Sequence, residues 1–286
     1  MKLSDPTHGL KQTSLEQVAL TGEDLKAYES FWDRSAQVDH IKAIADQDDE
    51  QSFEHSGTNV AAELLPLLGK DSKILEIGCG AGRILQHLAP HCLEVHGADI
   101  SAEMVARGAE RLKHLPNVSF HHGNGYDLAD FDDSTFDLVY SDIAFQHMPK
   151  TVAFNYMREA YRVLKTTGRF RLQVPNLLEE EHWRAFNHFT QPYFVQHPYP
   201  MNFYTPAEVA LLLTSAGFWV EKMTNDVVAL ARKAGGPGIA PDLYSQVQAS
   251  ARVDLLNVGR VQPRTPLHRA ARRAAGKVKR RLKGIS

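Results

Sequence analysis

The sequence predicts an α/β protein built on a doubly wound, mostly parallel sheet of seven strands. Short apolar runs alternate with helical stretches between residues 73 and 174, which is typical of parallel strands joined by right-handed crossovers. Two more strand patterns flank the turn residues 224–226 and predict an antiparallel hairpin at the C-terminal end. The predicted strands cover residues 74–77, 93–98, 118–121, 136–141, 169–174, 218–223 and 227–232.

The composition is that of a globular protein. Of the 286 residues, 43% are hydrophobic and 23% are charged, which supplies a core and excludes disordered and collagen-like chains. No run approaches the roughly 20 apolar residues of a membrane span, and an apolar secretory signal is not expected at the N-terminus. Only two cysteines occur, Cys79 and Cys92, so a disulfide scaffold is excluded and a reducing cytoplasm is the expected compartment.

Three regions are predicted along the chain. They are an N-terminal helical cap at 1–55, a core at 56–234 with a lid insertion at 176–204, and a linker with a C-terminal tail at 235–286. The lid insertion is predicted because the alternation of strands and helices breaks at Pro175, where a segment rich in aromatic residues and histidines follows. The core resumes at Thr205, which begins a helix with a capping box to Glu208.

The C-terminal tail differs from the body in charge. From Arg264 to Ser286 there are nine Lys and Arg and no acidic residue, whereas residues 1–263 hold 23 basic residues against 34 acidic ones. Apolar residues recur there at helical spacing, among them Leu267, Val278 and Leu282, which is the pattern of a basic amphipathic helix at a membrane surface. A membrane surface is the favoured partner of the tail. Nucleic acid phosphates and a merely solvated tail are the alternatives.

The densest motif is a glycine-rich loop followed by an acidic residue. An apolar strand at 74–77 runs into Gly78, Gly80 and Gly82 and then into a helical pattern. Glycines there allow tight turns and the close approach of a ligand to the backbone. Asp99 ends the next strand, where a carboxylate can accept hydrogen bonds from both hydroxyls of a ribose. The glycine spacing differs from the G-x-G-x-x-G of nicotinamide loops, but the order of strand, loop, helix, strand and acid favours ligand binding over a purely structural loop.

These residues resemble the core of the class I S-adenosylmethionine-dependent methyltransferases, in their small-molecule branch. LEIGCGAGR at 75–83 is similar to the glycine motif of that family, HGADIS at 96–101 to its segment with the ribose-binding acid, and FDLVYSDIAFQHMP at 136–149 to its fourth-strand motif. The resemblance extends over about residues 50–232. It implies a Rossmann-like fold, a methyl-transfer activity and S-adenosyl-L-methionine as the cofactor.

The resemblance also implies which residues hold that cofactor. Glu76 would lie near the methionine amine, Asp99 would hold the ribose hydroxyls and Ile100 would pack on the adenine. Asn124 stands where the family often has an aspartate that binds the adenine amino group, and an amide oxygen can accept the same bond. Ser141 ends the fourth strand beside the expected sulfonium. The predicted cofactor-binding residues are therefore Glu76, Gly78, Gly80, Gly82, Asp99, Ile100, Asn124, Gly125 and Ser141.

His147 is the predicted catalytic base. It follows the C-terminal end of the fourth strand, the edge at which ligands bind in open α/β sheets. A hydroxyl acceptor needs such a base, whereas an amine acceptor needs only to be bound in its neutral form. The alternative for His147 is a structural role in capping or packing the next helix. His182 and His188 in the lid insertion are alternative bases.

The N-terminal helices hold residues that could cover the cofactor. Trp32, Asp33 and Arg34 could fold over it, with Arg34 meeting its carboxylate. His55 and Ser56 compete for the same role. The alternative is a packing role for Trp32 and a solvated Arg34.

The favoured function is methyl transfer to a small-molecule or glycan acceptor, with a hydroxyl oxygen preferred because of His147 and the histidine-rich lid insertion. The predicted membrane binding of the tail also favours an acceptor on a lipid-linked sugar. The protein would then be peripheral, at the inner face of the membrane. The alternatives are an N-methyltransferase of a small molecule, a nucleic-acid methyltransferase and a non-catalytic binding module. The acidic body disfavours a polyanion, so nucleic acid is not the expected partner. His87 and His91 have helical spacing but no third ligand, so no metal site is predicted.

Overall fold

The structure is a computed structural model that describes residues 22–45, 49–189, 201–224, 227–233 and 235–251. Its strands are β1 (Lys73–Ile77), β2 (Glu94–Asp99), β3 (Val118–His122), β4 (Phe136–Ser141), β5 (Leu164–Gln173), β6 (Trp219–Met223), β7 (Val228–Arg232) and β8 (Gly238–Ile239). Its helices are α1 (Gly22–Ala45), α2 (Glu50–Leu64), α3 (Leu85–Leu88), α4 (Ala102–Arg111), α5 (Lys150–Val163), α6 (Glu180–Phe189), α7 (Pro206–Ser215) and α8 (Pro241–Ala251).

One mixed sheet organises the described residues. Its strand order is β3-β2-β1-β4-β5-β7-β6-β8. The pairs from β3 to β5 are parallel, and β7 runs antiparallel to both β5 and β6. The predicted doubly wound, mostly parallel sheet with an antiparallel C-terminal hairpin is thus confirmed. The strand order reverses between β1 and β4, and open α/β sheets bind their ligands at such a point.

The sheet has eight strands in the described residues rather than the predicted seven. β8 pairs in parallel with β6 through Gly238 and Ile239. A Cβ atom at Gly238 would lie 2.6 Å from the Trp219 ring, so the edge strand can approach this closely only with glycine. The first part of the predicted linker therefore belongs to the sheet, and α8 follows with Leu243 buried in the core.

Apolar side chains cover both faces of the sheet. On one face α5 and α7 pack over the strands, with Phe170 and Phe218 fully buried between them. On the other face Leu64 of α2 and Leu85 of α3 pack on the residues around Ile74. Because both faces are covered, the strand ends are fixed, and so are the loops that leave them.

Three helices begin at side-chain caps. Asp49 accepts the Ser52 N–H at 2.8 Å at the start of α2, and the predicted caps Ser101 and Thr205 accept backbone N–H groups in α4 and α7. The predicted helix over 83–89 is shorter than expected. It covers only Leu85–Leu88, because Pro90 lies in the 3₁₀ turn that follows.

The two ends of the lid insertion lie side by side. Asn176 and Tyr204 form a parallel β-bridge. The Leu177 N–H donates to Tyr204 O at 2.8 Å, and the Tyr204 N–H donates to Pro175 O at 3.0 Å. The insertion therefore leaves and rejoins the core at one point, next to the end of β5.

Several predicted features lie outside the described residues. These are the start of the N-terminal cap before residue 22, residues 190–200 of the lid insertion, and the basic tail at 264–286. The amphipathic tail helix stays a prediction. Across the part of the chain that the structure describes, no helix combines the length and the apolar character needed to cross a bilayer.

Candidate active site

A cleft opens at the C-terminal ends of β1, β2 and β4. Its lining combines apolar side chains with a few charged and polar groups, as in the clefts that bind small molecules. Its walls are the glycine loop (residues 78–83), the end of β2 with the loop after β3, the β4 loop (residues 142–148), and α1, which covers it from above. The cleft therefore lies at the switch point of the sheet.

The glycine loop is in direct contact with the β4 loop. Gly78 and Gly80 have φ values of 75° and 50°, in the left-handed region that favours glycine. A Cβ atom at Gly78 would lie 2.3 Å from the Cβ of Ala144. The Gly78 N–H also donates to Ala98 O at 2.8 Å. Glycine is thus required here both by backbone conformation and by the close approach of the opposite wall.

Asp99 links the glycine loop to the start of α4. Its Oδ2 accepts the Gly80 N–H at 2.8 Å, and its Oδ1 accepts the Ser101 N–H at 2.9 Å. Desolvation raises the pKa of Asp99, although these two N–H groups favour the charged form. The carboxylate is thus held in one orientation at the cleft wall, where its remaining lone pairs can accept from a ligand.

Glu76 is a buried carboxyl group at the end of β1. It is 3% exposed and lines the cleft, and its Oε2 accepts the hydroxyl of Tyr140 at 3.0 Å. Burial raises the pKa of Glu76 to about 8, against the opposing effect of the Arg83 guanidinium. The group is therefore poised to change its charge state when a cation binds beside it.

A buried ionic cluster backs the glycine loop. Arg83 contacts Asp142 at 2.9 Å, and Arg171 of β5 contacts the other oxygen of the same carboxylate at 2.5 Å. All three side chains are buried, whereas Glu63, a second partner of Arg171, is 60% exposed. The buried part of the cluster therefore carries one surplus positive charge next to the cleft, since Arg83 and Asp142 both line it.

The helix α1 covers the cleft and contacts the candidate base. The Tyr28 hydroxyl donates to His147 O at 2.6 Å, and the Trp32 ring meets the His147 ring edge-on at 5.0 Å between centroids. Asp33 accepts the Ser101 hydroxyl at 2.6 Å and the Glu103 N–H at 3.2 Å. One helix thus reaches both the His147 side and the Asp99 side of the cleft.

Comparison with known proteins gives the family of this sheet and cleft. Residues 74–168 match the family model described as "Methyltransferase domain". These residues form a class I methyltransferase domain. The match begins at β1 and runs through the glycine loop, Asp99 and the β4 loop to β5, so the methyltransferase domain contains most of the cleft. The resemblance inferred from the sequence is thereby confirmed.

Individual relatives match this chain over only part of their own length. An uncharacterised methyltransferase, YcgJ of Bacillus subtilis, is 35% identical over 104 residues, which is 36% of this chain and 40% of that protein. A phosphoethanolamine N-methyltransferase of Plasmodium falciparum is 28% identical over 152 residues, which is 53% of this chain and 55% of that protein. The chain thus spans about half or less of these relatives.

A solved structure extends the likeness of fold. Magnesium protoporphyrin IX methyltransferase from Synechocystis, solved with bound S-adenosylmethionine, has a TM-score of 0.51 and 16% identity. The match covers 75% of this chain and 97% of that one. At this identity the likeness concerns the fold alone.

Most residues predicted from the sequence converge on the cleft of the methyltransferase domain. Those that line it are Glu76, Gly78, Gly80, Asp99, Ile100, Gly125 and His147. A Cβ atom at Gly125 would lie 2.3 Å from the Ile100 side chain, so glycine leaves the space that this side chain fills. The structure therefore brings the two ends of the predicted site, Asp99 and His147, onto one cavity.

Three predicted cofactor residues are not among those that line the described cleft. Gly82 lies where a Cβ atom would be 2.8 Å from the side chains of Leu112 and Phe120, so it serves helix packing. Ser141 is fully buried and donates to Ile77 O at 2.7 Å. Asn124 is exposed, and its amide oxygen accepts the N–H groups of the two residues that follow Gly125. These three therefore shape the loops of the methyltransferase domain, and direct contact with a cofactor stays a prediction for them.

The other predicted residues are placed differently. Arg34 is exposed on α1, whereas Ser56 accepts from Arg83 at 3.0 Å behind the cleft. His182 contacts Asn176 O at 3.1 Å within the lid insertion. None of these three is among the residues that line the described cleft.

Tyr28, Arg83 and Tyr156 are among the cleft residues that the sequence analysis missed. Arg83 ends the glycine motif, but its partners Asp142 and Arg171 lie far along the chain, so spacing did not signal the cluster. Tyr156 lies on the buried face of α5, where the sequence pattern predicts an aromatic residue of the hydrophobic core. Its hydroxyl has no hydrogen-bond partner among the described residues, and desolvation first, followed by the carboxylates of Asp99 and Asp127, raises its pKa.

Proposed function

We propose that this protein is an S-adenosylmethionine-dependent methyltransferase that acts on a hydroxyl group of a small-molecule acceptor. The observation that supports this most is the convergence of the glycine loop, Asp99 and His147 on one cleft of a methyltransferase domain. When bound, S-adenosyl-L-methionine supplies an activated methyl group, and the chain must hold and orient both partners.

The cleft residues fit an adenosyl group with an amino-acid end. Asp99 would accept from the ribose hydroxyls, and Ile100 would border the adenine. Gly78 supports the fit, since even a methyl group at this position would collide with Ala144 and close the floor. Glu76 would face the amino group of the ligand, which matches a carboxyl group that ionises readily beside a cation.

Arg83 takes the role that the sequence analysis gave to Arg34. A ligand carboxylate needs a cation that lines the cleft, and Arg83 does so whereas Arg34 is exposed. The surplus positive charge of the cluster formed by Arg83, Asp142 and Arg171 favours an anionic group at this wall. This wall and Glu76 together suit the two charges of an amino acid.

His147 would hold the proton that an acceptor hydroxyl loses. Its imidazole is packed against Trp32, and its backbone carbonyl is held by Tyr28, so the ring is oriented towards the cleft. The nearby wall is apolar, formed by Ile143, Ala144 and Met148. An uncharged acceptor with an ionisable hydroxyl suits this wall better than a strongly anionic one.

Transfer to an amine is the second candidate. The Plasmodium relative at 28% identity is named as an N-methyltransferase, and a neutral amine would need no base from His147. A glycan or lipid-linked acceptor at a membrane rests only on the sequence of the tail. Cofactor binding without turnover of either acceptor class would favour the non-catalytic module.

The cofactor is tested by thermal unfolding and calorimetry. S-adenosylhomocysteine and S-adenosylmethionine should raise the melting temperature, because they bind only the folded state, and NAD should not. Asp99→Ala should weaken S-adenosylhomocysteine binding by at least about tenfold, since two charge-assisted hydrogen bonds are lost. Asp71→Ala, at an exposed position outside the cleft lining, is the matched control and should bind within about twofold of wild type. Equal affinities of wild type and Asp99→Ala would remove Asp99 from the site.

The base is tested by kinetics with a panel of small phenols, alcohols and amines as acceptors. His147→Ala should lower kcat at least ~10²-fold for a hydroxyl acceptor while cofactor affinity is kept. His182→Ala is the control and should keep its rate, because His182 lies outside the cleft lining. A near-normal kcat for His147→Ala would mean that His147 is structural or that the acceptor is an amine.

A further inference from the structure

The β4 loop places a strained residue in the wall of the cleft. Ile143 has a φ of 51°, in the left-handed region. A β-branched residue rarely adopts this conformation, because its Cβ substituents crowd the backbone. Ile143 also lines the cleft. Strain of this kind persists only where the surrounding structure enforces it.

The side chain of Gln173 contacts the backbone amide of Ile143. The Gln173 Oε1 accepts the Ile143 N–H at 2.9 Å. Gln173 is the last residue of β5 and is paired with Val228 of β7, so its backbone is anchored inside the sheet. A rigid strand therefore presents a side-chain acceptor to the first turn of the β4 loop.

The conformation at Ile143 sets the position of the next residue. The Cβ of Ala144 lies 2.3 Å from where a Cβ of Gly78 would be, so Ala144 contacts the floor of the cleft. A more relaxed φ at Ile143 would swing Ala144 away from the glycine loop or into it. The hydrogen bond from Ile143 to Gln173 thus acts on the residue that comes immediately before this contact between the two loops.

The far end of the β4 loop is held by different elements. Tyr28 of α1 donates to His147 O at 2.6 Å, and Asn202 donates through its side chain to Met148 O at 2.8 Å. These bonds do not act on the first turn of the loop. At that turn, the described residues provide the Gln173 side chain as acceptor for the Ile143 N–H.

We infer that Gln173 is a positioning residue of the cleft. It holds Ile143 in the left-handed conformation and thereby fixes Ala144 against the glycine loop. The geometric part of this inference stands on the contacts alone, whereas its effect on ligand affinity rests on the proposed function. Gln173 itself is half-buried and acts only through the β4 loop.

Three substitutions test this role in the full-length protein. Gln173→Leu keeps the size of the side chain but removes the acceptor, whereas Gln173→Glu keeps an acceptor oxygen. Ile143→Gly removes the strain, because glycine adopts positive φ freely. The probes are amide hydrogen exchange at Ile143, which needs no ligand, and calorimetry with S-adenosylhomocysteine.

Gln173→Leu should raise the exchange rate of the Ile143 amide and weaken S-adenosylhomocysteine binding about tenfold. Gln173→Glu should behave like wild type in both measurements. Ile143→Gly alone measures the effect of removing this side chain from the cleft wall, and adding Gln173→Leu to it should cause little further loss of affinity. If the hydrogen bond between Gln173 and Ile143 served only the stability of the fold, Ile143→Gly would not offset the loss of affinity caused by Gln173→Leu.

Two results would overturn the role of Gln173. One is an Ile143 amide that exchanges equally in wild type and Gln173→Leu. The other is a loss of affinity caused by Gln173→Leu that is as large in the Ile143→Gly background as in wild type. Failure of the wild-type protein to bind S-adenosylhomocysteine would count against the proposed function instead, and the exchange comparison would still decide the role of Gln173.

Discussion

At the scale of single residues, Glu76 shows how position in a strand sets the charge of a side chain. It is the next-to-last residue of the short buried strand β1, and its carboxyl group lines the cleft while being almost fully buried. Burial raises its pKa from an ordinary 4.5 to about 8, with Arg83 and Tyr140 acting in the opposite direction. Between these two pH values the folded protein keeps a proton that the unfolded chain has released.

The stability of the protein should therefore fall as pH rises through that window. Where the folded state binds more protons than the unfolded state, the free energy of unfolding decreases with pH, by at most about 1.4 kcal/mol per pH unit for one group. Glu76→Gln should remove this contribution, so the variant gains on wild type from about pH 5 to 8. Urea unfolding at several pH values measures the difference, with Glu110→Gln, which is 74% exposed, as the control. Parallel pH profiles of wild type and Glu76→Gln would show that Glu76 titrates normally.

At the scale of elements, α1 covers the cleft and is attached to the rest of the protein at two places. Tyr28 holds the His147 side, and Asp33 holds the start of α4 beside Asp99. A ligand in the cleft would lie under this helix. We therefore expect exchange of the ligand with solvent to require movement of α1. The attachment through Asp33 is polar and local, and it can open without disturbing the sheet.

Asp33→Ala should speed release of S-adenosylhomocysteine more than it slows binding. The variant loses Asp33 Oδ1, the oxygen that accepts from both the Ser101 hydroxyl and the Glu103 N–H, so the open state of α1 gains population. We expect a dissociation rate about 5- to 13-fold higher by stopped flow, because such bonds are worth about 1–1.5 kcal/mol. Gln37→Ala, at an exposed position of the same helix, should leave the rate unchanged. An unaltered dissociation rate in Asp33→Ala would rule out α1 as a barrier to exchange.

The elements also show how far the sequence alone leads. Local patterns suffice for the strand that meets the glycine loop, for Asp99 at the end of β2, and for the caps Ser101 and Thr205. β8 was not predicted, because two residues are too few to show an alternating pattern of apolar side chains. Its pairing depends on the close contact between the Trp219 ring and Gly238. The role of Arg83 was not predicted, because it depends on Asp142 and Arg171, which only the folded sheet brings close to it.

At the scale of the whole molecule, the acidic body and the basic tail are separated by a folded segment. β8 and α8 join the sheet and bury Leu243 in the core, so the body extends to at least residue 251. The predicted membrane helix begins beyond this segment, at residue 264. The two parts should therefore be separable by deletion at the right position.

Deleting residues 264–286 should leave the melting temperature and S-adenosylhomocysteine binding intact but abolish binding to anionic liposomes, since the tail holds the excess positive charge. Deleting residues 235–286 is the contrast. It also removes β8 and Leu243 and should cost at least about 2 kcal/mol of stability. Changing Leu267, Val278 and Leu282 to Ser should reduce liposome binding and leave any nucleic-acid binding nearly unchanged. Liposome binding that survives this triple change would contradict the membrane helix.

The bridge between Asn176 and Tyr204 has a consequence for how such a protein diversifies. Because the chain leaves the core and returns to it at one point, the segment between these residues can change in length and content while β5 and α7 stay in register. Asn202, just before the bridge, donates to Gln146 O and Met148 O and so connects this exchangeable segment to the loop that carries His147. Replacing this segment would thus leave in place the strands and loops that line the described cleft.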